Sequence, residues 1–309
     1  MSERIKTTFF GTGNFAREIL KALVESDQIF VDLVITKPDR KIGRKQNEEA
    51  TPVKKFAQKH KQAIRTPEEL KHLELQGDID LGVAAQYGEI IPKSILNTPK
   101  HGILNVHTSL LPKYRGPAPI QTALLEGETE TGITIMKMDA GLDTGPILLQ
   151  KVQEIEPTDK YPDINKKLAY LGAEALLETI PKYINGELEA KPQDDNKSTT
   201  TSQFSREDGK IDWNNSAENI YNKYRAFTPW PGIWTTWGGD RLKLHKIKPE
   251  DKDVSPAKVK IEGKKMFIGC GTGSISVQMI QPAGKKKMDV KDFINGYGDR
   301  INSQTLGNA

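Results

Sequence analysis

The sequence predicts an α/β protein: a doubly wound, mostly parallel sheet followed by a small β-barrel domain. Three observations predict it. Residues 5–10 form an apolar, β-branched and aromatic run that leads through Gly11-Thr12-Gly13 into a helical pattern with Phe15, Ile19, Leu20 and Leu23 on one face. Further strand-like runs at 30–36, 79–85 and 102–107 alternate with helix-length segments, as parallel βα units do. Beyond a polar stretch, KPQDDNKSTTTSQFSR, short strands recur with glycines at their corners.

With 309 residues the chain has length for two domains. The expected division is 1–189 for the α/β domain, 190–205 for an exposed linker and 206–309 for the barrel. No run of roughly 18 apolar residues is present, and MSERIKTTFF lacks a secretory core, so a soluble, cytoplasmic protein without membrane contact is expected. A single cysteine, Cys270, excludes an intramolecular disulfide and a cysteine metal cluster. The five histidines lack H-x-x-H spacing, which argues against a metal. Net charge is +4, but from Arg206 onward 18 Lys and Arg stand against 12 Asp and Glu, so +6 lies in the last third and −2 before it. That asymmetry suits a polyanion at the second domain.

The Gly11-Thr12-Gly13-Asn14-Phe15-Ala16 turn also fits a dinucleotide fingerprint. Such a site needs an acid near the end of the second strand, and that strand ends in Thr36-Lys37 instead. The favoured reading is a tight turn for helix packing; a phosphorylated cofactor met by Lys37 or Arg40 is the alternative. Residues 37–52 follow as a long polar loop, basic in its first half. Helices are expected at 52–60 and from Pro67, a third begun by Pro117, strands at 131–138 and 147–155, and a long amphipathic helix at 161–184.

Residues 102–150 carry the chemistry. On a strand Asn105 and His107 share one face while Val106 points into a core, and Pro112 prevents the ladder from continuing far beyond them. Ligands of open α/β sheets bind at that carboxyl end. An amide donor, an imidazole and Asp143 in Gly141-Leu142-Asp143-Thr144-Gly145 make a set suited to acyl transfer to an amine. The bland alternative for Asn-x-His is loop capping alone.

Asn105-Val106-His107, Ser109-Leu110-Leu111-Pro112, Lys113-Tyr114-Arg115-Gly116-Pro117-Ala118-Pro119-Ile120, Thr131-Gly132-Ile133-Thr134-Ile135-Met136 and Gly141-Leu142-Asp143-Thr144-Gly145 together resemble the folate-dependent formyltransferase family. The resemblance implies a Rossmann-like catalytic domain with Asn105, His107 and Asp143 as the catalytic set. It implies 10-formyltetrahydrofolate as co-substrate, no metal, and contacts to it from Ser109, Leu110, Leu111, Pro112, Tyr87 and Gly88. Arg225-Ala226-Phe227-Thr228-Pro229-Trp230-Pro231 and Pro282-Ala283-Gly284-Lys285-Lys286-Lys287 extend it into the second domain, in the branch that formylates methionyl-initiator tRNA. That branch implies tRNA contacts at Arg40, Arg44, Lys285, Lys286 and Lys287, and a monomer. Glu48 and Glu49 depart from its loop pattern.

In the second domain, strands are expected at 242–247, 258–261, 265–269 and 274–280 after a short helix at 217–227, consistent with an OB-like barrel of the kind that binds oligonucleotides. The function expected is formyl transfer to the methionyl amine of initiator tRNA for translation initiation. Alternatives are another folate-dependent N-formyltransferase, an NADP-dependent oxidoreductase using Gly11 to Ala16 and Lys37, and a non-catalytic tRNA-binding protein.

Overall fold

The structure is a computed structural model and describes residues 4–42 and 47–307. It divides into two compact units: Met1–Pro119 with Glu130–Ile155 and Ile164–Ser202, and Ile120–Thr129 with Glu156–Asp163 and Gln203–Ala309. Among the described residues no helix is long and apolar enough to cross a membrane.

In chain order the first part of the structure runs β1 (Ile5–Gly11), α1 (Asn14–Val24), β2 (Ile29–Ile35), β3 (Arg40–Ile42), β4 (Asn47–Glu49), α2 (Pro52–Lys59), β5 (Ile64–Arg65), β6 (Leu81–Ala85), α3 (Lys93–Leu96), β7 (Ile103–His107), α4 (Pro119–Leu125), β8 (Glu130–Lys137), β9 (Ile147–Glu154) and α5 (Tyr161–Ile184). One seven-stranded sheet has the order β5-β2-β1-β6-β7-β8-β9. It is parallel from β5 to β7, then antiparallel through β8 and β9.

The middle strands are covered on both faces, so they read as continuous apolar runs; every residue of β6 is buried. Helix α1 presents Phe15, Ala16, Ile19, Leu20 and Leu23 to the core, each large side chain gaining roughly 1.5–3 kcal/mol from burial. The Thr51 hydroxyl accepts from Lys54 N at 3.0 Å and caps α2, whose first residue is Pro52. Gly172 of α5 passes so close to the sheet that a Cβ there would lie 2.9 Å from Val106 Cγ1. Val106 therefore faces α5, and Asn105 and His107 face the opposite way.

One expected element is replaced. The helix from Pro67 is a single 3₁₀ turn, Leu70–His72. Leu70, Leu73 and Leu75 are spaced by three and then two residues, which fits no single helical stripe, and they pack separately on the cluster around Phe10 and Ile95. Residues 191–201, expected within a linker, are mostly exposed yet tied down: Arg115 N donates to Thr199 O at 2.8 Å and Thr201 N to Arg115 O at 2.7 Å.

The second part comprises α6 (Ala217–Phe227), β10 (Ile233–Trp237), β11 (Asp240–Glu250), β12 (Val259–Glu262), β13 (Lys265–Gly269), β14 (Ser274–Pro282), β15 (Met288–Asp289) and α7 (Val290–Ile301). Its strands are antiparallel in the order β10-β11-β14-β13-β12, with β15 beside β14. The α/β sheet followed by an antiparallel β domain is the predicted class. Strand β10 and helix α7 add to the elements expected. Helix α7 is disguised by Gly296 and Gly298, but the Asp289 carboxylate accepts from Lys291 N at 2.9 Å to start it and Phe293 is fully buried.

Candidate active site

Three side chains converge on the face of β7 away from α5. His107 is buried, and its Nε2 lies 3.0 Å from Tyr114 O. A carbonyl only accepts, so Nε2 carries the proton and Nδ1 is the nitrogen turned toward the Asp143 carboxylate, 3.6 Å from Oδ2. The same Oδ2 accepts from Gly116 N at 2.8 Å. Asn105 Nδ2 approaches Asp143 Oδ1 at 3.4 Å, a long contact that engages one of its two N–H groups.

The route by which Asp143 arrives is not that of a loop at the sheet's carboxyl edge. Lys137, the last residue of β8, is paired with Leu104 near the start of β7, so the β8–β9 connection doubles back along β7 to reach His107. Gly145 makes the close passage: a Cβ there would meet Lys137 O at 1.8 Å. Within the connection, Asp139 Oδ1 accepts from Gly141 N at 2.9 Å and from the Thr144 hydroxyl at 2.7 Å. Asp143 itself has φ +53°, a left-handed conformation that disfavours a residue with a side chain.

Two residues outside the expected set hold this arrangement. Gln193 Nε2 donates to Asp143 O and Gly145 O, and its Oε1 accepts from Arg115 Nε and Nη2. Arg115 belongs to a motif that the sequence displays; Gln193 lies in the expected linker, where composition gives no signal.

The segment Ser109-Leu110-Leu111-Pro112 is built from within. Ser109 is fully buried and its hydroxyl donates to Lys113 O at 2.7 Å, which leaves it no surface for a ligand. The Thr134 hydroxyl donates to Ser109 O and accepts from Leu111 N, while Gln150 Nε2 donates to Leu111 O. Leu110 packs on Gly132, where a Cβ would lie 2.4 Å from its Cδ2. Leu110 and Pro112 stay half-buried, Leu111 buried.

Tyr87 is likewise packed inward. Its ring is buried edge-on against Phe10 at 5.8 Å, its hydroxyl has no hydrogen-bond partner among the described residues, and burial raises its pKa. Its contribution at the loop is the backbone, where Thr12 Oγ1 donates to Tyr87 O at 3.1 Å. Gly88, at φ +75°, accepts from Lys37 Nζ at 2.9 Å. Beside them Ile90 is 90% exposed, and Leu142 on the Asp143 connection is 62% exposed.

The glycine turn after β1 serves packing. A Cβ on Gly13 would lie 2.2 Å from Gln86 Oε1, and one on Gly11 would strike the Phe9 ring at 2.5 Å. Gln86 thus fills the space a pyrophosphate needs, and Lys37 is engaged by Gly88 O and Glu89.

The basic residues lie elsewhere. Arg40 is exposed in the β3–β4 hairpin opposite Glu49, and Arg44 falls outside the described residues. Lys285, Lys286 and Lys287 are exposed in the turn between β14 and β15, which is held by Lys285 N donating to Pro282 O and Gln281 Nε2 to Lys285 O. Among the described residues no group of histidine, cysteine and carboxylates has metal-ligand geometry.

The formyl transferase profile matches residues 4–180, and its C-terminal domain profile matches 203–298. A methionyl-tRNA formyltransferase of Staphylococcus epidermidis is 41% identical over 97% of this chain and 99% of its own, and one of Caldicellulosiruptor saccharolyticus 42% identical over 94% and 96%. Among solved structures, an N-formyltransferase from Helicobacter canadensis, in complex with folinic acid and dTDP-3-aminofucose, superposes with TM-score 0.67 at 21% identity over 93% of this chain and all of the other. The methionyl-tRNA formyltransferase from Clostridium thermocellum gives 0.52 at 17% over 82% and 96%. With the fold, the convergent Asn105, His107 and Asp143 and near full-length identity in agreement, the chain belongs to the formyltransferase family.

Proposed function

We propose that the protein transfers the formyl group of 10-formyltetrahydrofolate to the free amine of methionyl-initiator tRNA. The observation that carries this is the joint one: identity of about 40% over both units with methionyl-tRNA formyltransferases, and an amide at 3.4 Å and an imidazole at 3.6 Å from one carboxylate on one face of β7.

The folate supplies an activated formyl group and a leaving nitrogen. Residues that fit it are the backbone around Gly88 and the exposed apolar side chains of Ile90 and Leu142, large surfaces that lack protein cover and suit a flat ring. The amine forms a new C–N bond to the formyl carbon as the C–N bond to the folate breaks. Asn105 donates its second N–H to the carbonyl oxygen as charge develops there, an interaction worth roughly 3 kcal/mol per donor. His107 accepts the amine proton on Nδ1 and returns it to the leaving nitrogen. Asp143, fixed by Gly116 N, stabilises the imidazolium between the two transfers.

Arg40 in the hairpin, Arg44, and Lys285 to Lys287 in the second unit are the proposed tRNA contacts. Of the two carboxylates at 48 and 49, Glu49 is neutralised by Lys55 at 2.6 Å. The test is incubation with formyl donor and charged initiator tRNA beside an elongator methionyl-tRNA. Formylmethionine on the initiator species is expected; no product from either would remove the proposal.

A further inference from the structure

The second unit carries a cleft of about 280 Å³ that the proposed chemistry does not use. Arg206, Trp230, Trp234, Arg241 and Lys243 line it. Its two indoles differ. Trp234 is buried and occupied: Nε1 donates to Arg206 O at 3.0 Å and the Arg241 guanidinium lies 3.8 Å over the ring. Trp230 is 54% exposed, held between Pro229 and Pro231, whose rings restrict the loop that presents it. A large aromatic face is thus left to solvent beside three cations.

The charge there is only partly compensated. Arg241 pairs with Glu207 at 3.0 Å, but Arg206 and Lys243 have no carboxylate partner among the described residues. Trp234, Lys243 and Gln281 are successive partners across β10, β11 and β14, so they share one face of the sheet. Gln281 then holds the carbonyl of Lys285. The Lys285 to Lys287 turn is therefore anchored to the same face of the sheet as Lys243, and its ammonium groups likewise have no ion-pair partner among the described residues.

An exposed ring flanked by unpaired cations matches a base joined to phosphates. We propose that this cleft seats one unstacked nucleotide of the tRNA, its base on Trp230 and its phosphate between Arg206 and Lys243, with the lysine turn following the backbone. The inference rests on the tRNA-directed reading above and adds a site to it. An acidic peptide would use the cations but gain nothing specific from the indole.

The test uses the full chain and uncharged initiator tRNA, titrated at several salt concentrations. Trp230→Ala should raise Kd about tenfold, within the range of lost base stacking, with little change in the salt slope. Arg206→Gln and Lys243→Gln should each lower the slope of log K against log salt by about one. Bound tRNA should quench tryptophan emission in the wild type, and Trp230→Phe should abolish most of that quench while keeping affinity within about threefold, which reads the site even if the alanine variant folds poorly. A wild-type Kd in Trp230→Ala, an undiminished quench in Trp230→Phe, or equal competition by polyglutamate and oligouridylate would overturn the site. Wild-type protein that formylates while Trp230→Ala binds normally fails the cleft alone. Protein that shows these Trp230 effects yet yields no formylated product fails the functional reading alone.

Discussion

The Gln193 carboxamide donates to two carbonyls of one loop, Asp143 O at 2.8 Å and Gly145 O at 2.7 Å, and so fixes the backbone that carries the candidate carboxylate. Arg115, itself buried, grips the other end of the amide and reaches Asp195 at 2.7 Å. A residue held at φ +53° costs on the order of 1 kcal/mol and needs such support. Gln193→Ala is expected to lower kcat about tenfold with little change in KM for tRNA. Steady-state kinetics decide it, and an unaltered kcat would show that the loop holds itself.

The two glycines around Asp143 should respond unequally to alanine. At Gly145 a Cβ would collide with the backbone oxygen of Lys137 at 1.8 Å, which cannot move without shifting β8. At Gly141 it meets the Thr144 hydroxyl at 2.0 Å, the end of a side chain that can rotate. Gly145→Ala should destabilise by roughly 1–3 kcal/mol and depress turnover, and Gly141→Ala by less. Melting temperatures of the pair check the order.

Asp80 links the first unit to acid stability. Burial alone raises its pKa, but the Lys6 N–H at 2.9 Å and the Lys100 ammonium at 3.1 Å outweigh that, leaving it below the ordinary carboxylate value. A depressed folded-state pKa means stability that is present above the unfolded value of about 3.9 and is lost as pH falls through the folded one. Asp80→Asn should therefore cost about 1 kcal/mol near neutrality and show a shallower loss of stability in acid. Denaturant midpoints measured between pH 7 and pH 3 would expose equal slopes if the carboxylate were idle.

Cys270 is buried, and desolvation pushes its thiol up to about 12. Thiolate is then scarce at neutral pH, so alkylation of the native protein should be slow and leave formyl transfer intact. Mass spectrometry after iodoacetamide treatment, native against denatured, measures it. Rapid native labelling with loss of activity would return Cys270 to the list of functional groups.

What the sequence made legible was local. The two-residue period of β7 puts Asn105 and His107 together because Val106 is taken by α5 at Gly172. The strand at 265–269 and residues 274–280 of β14 were readable because alternation and glycine corners mark them. Gln193 was not, since it acts through contacts 48 and 50 residues away in a stretch whose composition suggests a tether. Tyr87 and Ser109 show the converse: their motif positions were plain, but only packing reveals that the ring joins Phe10 and the hydroxyl closes its own turn.

The most direct measurement is single-turnover formylation of charged initiator tRNA, with the donor saturating, by Asn105→Ala, His107→Ala and Asp143→Asn beside the wild type. Each variant should transfer at least tenfold more slowly while binding folate and tRNA almost as tightly as the parent. Transfer at near wild-type rate by Asn105→Ala or His107→Ala would contradict the assignment of chemistry to this face of β7.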